Sequence, residues 1–447
     1  MPEGMVSKAR TLPTMTQFRW VVVGLLFAID LINYVDRTAI SFGINEIAQQ
    51  YHFDSQQVGL ILGAFGIGYF VTTLTGGVVT DRFGTRRVLL IAATVWSLAM
   101  LASGLALGFL SLYAARLALG LAEGPNFPAL ERAVELWLPV HERARALSTA
   151  LVGVPVALAI GAPIVTMLLS AFGWRGAFIV LGVVIVLWLP FFYFLFRNTP
   201  AQSRHINAAE RSYIAADADA LSPHGPNEHG FASRRQWKFI LTNPTLLSNN
   251  WAFFVFGYFL FFFMTWLPDY LQHVYGLSLG AVGAFTFVPW ALAAVLLWLA
   301  GRLGDHLYQR THRLRVSISY VIIFSQLVAA IAVVPVAFVH SAGLAITLIS
   351  VAVGFTLSGN AAYYQVPMVV APSRPATALG VMNAGFAIAG FLAPTVTGYI
   401  VSATGDFRAA FWLLGILALS SVVATALFHR PDRSTRLGDD WSMASKL

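Results

Sequence analysis

The chain has 447 residues, of which 57% are hydrophobic and only 11% charged. A soluble domain carries roughly 25% charged residues, and a chain this apolar folded in water would expose large apolar patches; the composition therefore excludes a soluble protein and indicates an all-α membrane protein. There is no cysteine, which excludes disulfides, thiolate catalysis and cysteine-based metal sites, and the net charge of +8, which in a soluble chain would suggest nucleic acid, is explained below by where the basic residues lie.

The predicted elements are apolar runs near the length needed to cross a bilayer. They fall at roughly 17–38, 58–80, 87–108, 110–134, 144–170, 174–196, 245–270, 280–300, 316–339, 342–370, 375–403 and 407–428. The first run is too long for a signal-peptide core and lacks a small-residue cleavage site, so it reads as an uncleaved first span. With the N-terminus in the cytoplasm, only Arg175 and Arg408 face outward, and only Arg37 and Arg116 lie within spans. The rest of the 28 Lys and Arg fall on the inner side, from Lys8 and Arg10 to Arg430, Arg433, Arg436 and Lys446. An error in the number of spans would scramble this asymmetry, so it supports twelve spans and cytoplasmic termini. It also turns the basic balance into a topology signal, with some attraction to anionic membrane lipid, and leaves nucleic acid without support.

The sequence repeats itself. Ala146-Leu147, Ala162-Pro163, Ser170-Ala171, Gly173, Arg175 and Ala177-Phe178 are echoed by Ala378-Leu379, Ala393-Pro394, Ser402-Ala403, Gly405, Arg408 and Ala410-Phe411. Gly77-x-x-x-Asp81 is echoed by Gly301-x-x-x-Asp305. The expected organisation is two pseudo-symmetric six-helix bundles, at 1–197 and 244–430, joined by a cytoplasmic linker over 198–243 and followed by a tail at 431–447. The linker contains Pro200, Pro223 and Pro226 and reads as holding one amphipathic helix. Two repeated halves around a central site are the architecture of alternating access.

Span one carries Asp30, Asp36 and Arg37. Each charge costs about 2.5–3.5 kcal/mol at the centre of a span on insertion scales, so each needs a partner. Asp30 and Arg37 are seven apart and share a helix face, with Asp36 about 100° round. They are read as cavity-facing functional groups, with a structural ion pair as the alternative. The loop after span two, Gly77-Val78-Val79-Thr80-Asp81-Arg82-Phe83-Gly84-Thr85-Arg86-Arg87, sits at the membrane surface. Gly84 allows a tight turn, and Gly77, Asp81, Arg82, Gly84 and Arg86 are read as a gate or brace able to lock one half against the other; an ordinary positive-inside loop is the alternative. In span four, Arg116 and Glu123 are seven apart, about 10.5 Å along one face, with Gly120 between them where a side chain would block close approach. Pro125 and Pro128 interrupt the helix just beyond, as is tolerated where backbone lines a cavity. A packing-only charge pair is the alternative there.

The second half offers amides, phenols and indoles instead: Tyr258, Trp266, Asn360, Tyr363, Tyr364, Gln365 and Asn383, with Tyr69 of span two in the same class. The aromatic run from Phe259 to Phe263 reads as lipid-facing packing, and Asn249-Asn250 as helix-start capping. No metal-ligand set, nucleophile elbow or phosphate-binding loop appears.

These residues carry a resemblance. The loop after span two resembles the signature loop of the major facilitator superfamily. Asn33-Tyr34-x-Asp36-Arg37, Arg116-x-x-x-Gly120-x-x-Glu123-Gly-Pro-x-Phe-Pro and His141-Glu142-Arg143-Ala144 are similar to its anion:cation symporter family, as are Asn207-x-x-Glu210-Arg-x-Tyr213-Ile214, Thr265-Trp266-x-Pro268-x-Tyr270-Leu271 and Gly380-x-Met382-Asn383. The resemblance implies the major facilitator fold and proton-coupled import of a small organic anion, in the manner of galactonate and glucarate permeases, with the proton as coupling ion and no cofactor. It implies that Asp36 and Glu123 carry protons, that Arg37 meets the substrate carboxylate, that Arg116 partners Glu123, and that Tyr69 and Asn383 line the substrate pocket.

The chain departs from that pattern at Val154, where sugar-acid permeases commonly carry Gln, at Tyr363-Tyr364-Gln365, and at Asp30, a place usually uncharged. The leading expectation is a monomeric symporter of the inner membrane for a hexonate, hexarate or hexuronate. An aromatic or short monocarboxylate is the alternative substrate. A non-transporting sensor on a transporter fold is the alternative of a different class. A phosphate exchanger is disfavoured because span seven lacks an Arg, and an enzyme because no catalytic constellation appears.

Overall fold

A computed structural model describes residues 15–220, 233–372 and 374–432. The basic residues Lys8, Arg10, Arg433, Arg436 and Lys446, linker prolines Pro223 and Pro226, and most of the tail lie outside the described residues.

The helices are α1 (Phe18–Tyr51), α2 (Ser55–Phe83), α3 (Thr85–Gly104), α4 (Phe109–Glu123), α5 (Asn126–Trp137), α6 (Val140–Leu151) and α7 (Gly153–Leu195). Two short linker helices follow, α8 (Ala208–Ala220) and α9 (Arg234–Thr242), where the sequence suggests one. The second half comprises α10 (Pro244–Tyr275), α11 (Leu279–Thr311), α12 (Tyr320–Val333), α13 (Ala342–Ser358), α14 (Asn360–Val370), α15 (Pro375–Thr404) and α16 (Arg408–Phe428).

Ten helical segments among the described residues are long and apolar enough to cross a membrane, and two features reconcile them with twelve spans. The 43 residues of α7 would be about 65 Å long as one rod, about twice a hydrocarbon core. The helix breaks at Gly173 (φ 63°, ψ 176°), so α7 contributes most of span five and all of span six. The α4 helix has only 15 residues, about 22 Å. It ends at Gly124-Pro125 because proline supplies no N–H to the ladder, and α5 completes span four. Around the molecule, large apolar side chains such as Ile91, Leu98, Met167, Ile331 and Ile416 are exposed, as a lipid-facing surface requires. By contrast, α10 runs through the centre. Phe259 to Phe263 are buried within the bundle instead of facing lipid, because α10 packs on α1, α15 and α16. The cap of α10 is Asn243, whose Oδ1 accepts from the backbone N–H groups of Thr245 and Leu246. Asn249 lies a turn further in, and its Nδ2 donates to the Tyr363 carbonyl at 3.1 Å, a cross-helix tie and not a cap.

The halves meet along α2–α15 and α7–α11, with α1–α10 adding to the contact. We call the side on which α1 begins the terminal face and the other the far face. In lipid there is no hydrophobic drive between helices, so close backbone approach through small residues replaces it. A Cβ on Gly59 would stand 2.8 Å from the Pro394 carbonyl oxygen, and Gly66 abuts the backbone of Gly390 and Phe391. A Cβ on Gly283 of α11 would stand 2.5 Å from Thr166 Oγ1 of α7. These contacts lie in the far-face halves of their helices. Toward the terminal face, α5 and α6 make no comparable contact with α14 and α15 among the described residues. Among the described residues the halves are thus packed together on the far face and more loosely on the terminal face, which we call the open face.

The seam sets up a test. Gly66→Ala overpacks backbone against backbone, a fault that costs about 1–3 kcal/mol, and is expected to disfavour the packed far face. Thr395 lines the same seam and is 7% exposed. In this cysteine-free chain, alkylation of a Thr395→Cys probe should accelerate by roughly 5- to 150-fold on adding Gly66→Ala, at about 1.4 kcal/mol per tenfold. An unchanged rate would show that the seam relaxes without opening.

Candidate functional site

The α1 charges diverge onto two faces, as their spacing predicts. Toward α4, Arg37 Nη2 donates to Glu123 Oε2 at 2.8 Å and Nε donates to the same oxygen at 3.1 Å. Arg37 Nη2 also donates to Asn33 Oδ1 at 2.9 Å. Three rings enclose the guanidinium, with centroids at 4.4 Å (Tyr34), 4.6 Å (Phe65) and 5.1 Å (Tyr69). Cation–π attraction grows when the cation is desolvated, and Arg37 is 1% exposed. The site nonetheless retains unused capacity: Arg37 Nη1 has no partner, and Glu123 Oε1, beside the Asn33 amide, completes no hydrogen bond. Toward α3, Asp36 Oδ2 accepts from Trp96 Nε1 at 2.9 Å while Oδ1 is unpaired. Asp30 Oδ1 accepts from Asn126 Nδ2 at 2.7 Å.

The close approach of α2 and α4 makes this possible. A Cβ on Gly120 would run into the Phe65 carbonyl oxygen and stand 2.8 Å from Tyr69 N, as the sequence implies for a glycine between Arg116 and Glu123. The expected Arg116–Glu123 pairing is corrected: the ion-pair partner of Glu123 is Arg37. Arg116 Nη2 reaches the Arg37 carbonyl at 3.5 Å, its Nε and Nη1 are buried without partners, and it is coupled to Glu123, and more weakly to Asp36, through the field alone, with no ion-pair contact to either. Seven residues of separation put Arg116 a full two turns from Glu123, whereas a neighbouring helix brings Arg37 alongside.

From the second half, Tyr364 is electrostatically coupled to Glu131 of α5 and, more weakly, to Tyr69 and Tyr34, and its hydroxyl donates to Asn383 Oδ1 at 3.5 Å. Asn360 is partly buried with an unpaired Oδ1. The other second-half candidates lie elsewhere. Tyr363 is fully buried, its hydroxyl accepting from Gln326 Nε2 at 2.8 Å. Trp266 Nε1 donates to the Pro394 carbonyl at 3.1 Å and its ring packs edge-on to Phe407, bracing α10 on α15. Tyr258 is buried beside Thr397, and Gln365 is exposed on α14.

The segment 77–87 is not a loop: Gly77 to Phe83 end α2, Gly84 alone makes the turn, and Thr85 begins α3. The expectation that it locks one half against the other is not met in this conformation, since its ion-pair and hydrogen-bond partners among the described residues lie in its own half. Asp81 meets Arg132 of α5 at 3.6 Å. Arg86 donates through Nη2 to the Tyr193 carbonyl at 2.7 Å and through its backbone N–H to Asn198 Oδ1 at 2.8 Å. Gly84 adopts φ 83° to make the turn, Arg82 is exposed against Phe83, and Gly77 faces open space. With the terminal face open, the second half is out of reach.

Several residues in these contacts were not singled out by the sequence. Trp96 sits in an unremarkable apolar span, and the available signal is that a buried indole N–H seeks an acceptor. Arg19 organises two of the recognised motifs: its Nε donates to Glu142 at 2.7 Å and its Nη1 to Glu210 at 3.0 Å. This pins linker helix α8 and the base of α6 to α1.

The sequence model of the Major Facilitator Superfamily matches residues 26–368 and 315–442. The chain is 32% identical over 413 residues to the hexuronate transporter of Bacillus subtilis, covering 92% of this chain and 94% of that one. It is 31% identical over 425 residues to a probable sulfoacetate transporter of Cupriavidus necator, covering 94% and 97%. Among solved structures, it is similar to a bacterial homologue of the human lysosomal transporter Spinster in an inward-facing, unoccupied conformation, with TM-score 0.73, 19% identity and coverage of 95% and 98%. The match along the chain and the twelve-span architecture agree: this protein belongs to the major facilitator superfamily.

Proposed function

We propose that the protein is a proton-coupled symporter that imports an organic carboxylate anion, of the hexonate, hexarate or hexuronate class, across the inner membrane. The observation that carries this reading is Arg37, buried in an aromatic enclosure and neutralised by Glu123 at 2.8 Å. A substrate carboxylate and Glu123 compete for one guanidinium. A proton on Glu123 cancels its charge and releases the bidentate fork of Arg37 to the substrate. Binding then requires a proton, which is the essence of symport. Asp36, held by Trp96 and electrostatically coupled to Arg116 and Glu123, is the second proton site. Tyr69, Tyr364 and Asn383 are placed to contact the remainder of the anion. Relatives named for hexuronate and sulfoacetate support an acidic substrate.

In this reading the terminal face is cytoplasmic, because the basic residues gather there, and the conformation is inward-facing. The halves at 1–197 and 244–430 rock about the seam, with the α2–α3 junction from Gly77 to Arg86 as a gate. The protein works as a monomer, with the proton as coupling ion and no cofactor. A second reading, an aromatic or short monocarboxylate, is favoured by the three rings that surround Arg37.

Uptake of labelled acids into proteoliposomes under an imposed pH gradient tests the proposal and separates it from a non-transporting sensor, which accumulates nothing. Arg37→Ala is expected to lose substrate binding, measured by thermal shift against a carboxylic-acid library, and Arg37→Lys to remain weak because a point charge replaces the fork. Near-normal affinity in Arg37→Ala would transfer the role to Arg116.

Affinity for the anion should rise as pH falls, because protonation of Glu123 frees Arg37. Glu123→Gln should bind tightly with that pH dependence reduced, and both Glu123→Gln and Asp36→Asn should lose pH-driven accumulation while retaining substrate exchange, which needs no proton release. Full accumulation in both variants would refute the assignment.

With two protons per anion, a monoanion moves one net positive charge. The membrane potential then contributes roughly 2.3 kcal/mol per 100 mV, about 50-fold in accumulation. Uptake in vesicles with a clamped, inside-negative potassium potential and equal pH on both sides should therefore be stimulated for a monoanion and indifferent for a dianion. No stimulation for the monoanion would make one of the two carboxylates structural.

A further inference from the structure

The proton-coupling mechanism leaves the buried carboxyl group of Asp30 unused. Asp30 is 0% exposed and receives a hydrogen bond from Asn126 Nδ2 at 2.7 Å. Its Oδ2 and the Asn126 Oδ1 are both buried with no partner. The two orphan atoms are acceptors belonging to the same hydrogen-bonded pair. A single proton satisfies both: bound to Asp30 Oδ2, it donates to Asn126 Oδ1 while Asn126 Nδ2 donates to Asp30 Oδ1, closing an acid–amide ring. Ionised, Asp30 would be a buried anion held by one neutral donor, an arrangement that is costly in an apolar interior. The charged and titratable groups facing it are Arg37 and Tyr34 on α1 and Tyr69 on α2. Arg37 is already engaged by Glu123 and Asn33. From α5 it meets the Asn126 amide, and from α7 it meets Gly153, where a Cβ would stand 3.4 Å from Asp30 Cβ.

Its position gives this pair mechanical leverage. Asn126 is the first residue of α5, directly after the Gly124-Pro125 break, and Gly153 is the first residue of α7, directly after α6. Helices α5 and α6 are the hairpin that stands clear of the second half on the open face. Asp30 therefore touches both roots of that hairpin.

We propose that Asp30 is a proton-operated positioning residue: protonated, it holds α5 in the terminal-face-open arrangement through paired hydrogen bonds to Asn126, and ionised, it releases α5 to move. This deepens the proton-coupled reading above and rests on it, adding a third proton site whose task is to time the gate instead of freeing Arg37.

Because the chain has no cysteine, Glu135→Cys on α5 and Met368→Cys on α14, both at exposed positions, can carry spin labels in the full-length protein. Pulsed electron resonance in lipid nanodiscs then reports their separation from acid to alkaline pH. The unmutated background is expected to hold the open distance at acid pH and to lose part of that population at alkaline pH. Asp30→Asn, whose amide reproduces both hydrogen bonds without titrating, should stay in the open population at every pH. Asn126→Ala should lose the response while keeping the carboxyl group, and thermal melting verifies that each variant is folded. A response of ordinary size and midpoint in Asp30→Asn overturns the proposal, as does a background distance that ignores pH. The Asp36→Asn/Glu123→Gln double variant should retain the movement. Normal pH-driven accumulation in that double variant would refute the assignment of the coupling protons to Asp36 and Glu123 while leaving the Asp30 movement standing. Loss of accumulation there, alongside a pH response untouched by Asp30→Asn, would do the reverse.

Discussion

A guanidinium inside a membrane span constrains everything around it. Arg37 cannot shed its proton and has almost no access to solvent, so the protein must supply what water would. It does so with one carboxylate, one amide and three aromatic faces. Each of these demands something of the backbone. The carboxylate must come from α4, which must therefore lie against α1 and α2. The α2 contact requires Gly120, because any side chain there would strike Phe65 and Tyr69, two of the rings that enclose the cation. Removing one member of a buried pair typically costs about 3–5 kcal/mol because the other charge is stranded. The central pair therefore stores a penalty that, on the proposed mechanism, a substrate and a proton avoid by arriving together. The same enclosure explains why α4 stops at Glu123: the chain breaks at Gly124-Pro125 just after delivering the carboxylate, which leaves α5 free to follow a different axis.

The seam between the halves obeys a different constraint. Lipid tails are as apolar as leucine, so apolar burial between helices gains little, and contact depends on how closely backbones approach. Gly59, Gly63 and Gly66 on α2 meet Gly390, Phe391, Thr395 and Gly398 on α15 with no room for a Cβ. Such a contact is tight when formed and leaves no greasy surface exposed when parted. That property suits an interface that must open and close repeatedly. The terminal-face hairpins, by contrast, carry the charged motifs. There the first half is held together by ion pairs, with Arg19 joining Glu142 and Glu210, so the linker helix is coupled to α1 and to the base of α6.

Much of this was legible in the sequence, for specific reasons. Charges in apolar spans are rare enough that Asp30, Asp36, Arg37, Arg116 and Glu123 identify themselves. Their spacing along a helix correctly sorts Asp36 from Arg37. Gly120 could be assigned a close approach because its neighbours at the same face were known. What spacing along one helix cannot supply is the rotation of the next. It could not show that Glu123 meets Arg37 in preference to Arg116, that Trp96 answers Asp36, or that Asn126 answers Asp30. The second half was harder to read. Its candidates are phenols, indoles and amides, residues that serve equally in cores, and two of them, Tyr363 and Trp266, are spent on internal hydrogen bonds. Phe259 to Phe263 read as lipid-facing because a run of phenylalanine has no helical face. Only the central course of α10 shows that all sides of that helix are packed.

If Glu123 carries the coupling proton, as proposed, the arrangement of the carboxyl groups bears on why coupling can be tight. A carrier leaks if it can reorient with its charges unmatched, so each such state must be costly. With Glu123 ionised and no substrate, Arg37 is matched. With substrate bound and Glu123 protonated, it is matched again. The mixed states leave either two carboxylates around one guanidinium or a bare guanidinium in an apolar enclosure. Both are penalised by the same low-polarity surroundings that make the proper pair strong. Burial therefore raises the strength of the matched states and the cost of the mismatched ones together. On the proposed mechanism, a site with so few polar atoms can thereby enforce obligate coupling, and the rings that wall in Arg37 serve it better than a shell of hydrogen-bond donors and acceptors. A more polar lining would stabilise the mixed states and let protons pass without substrate.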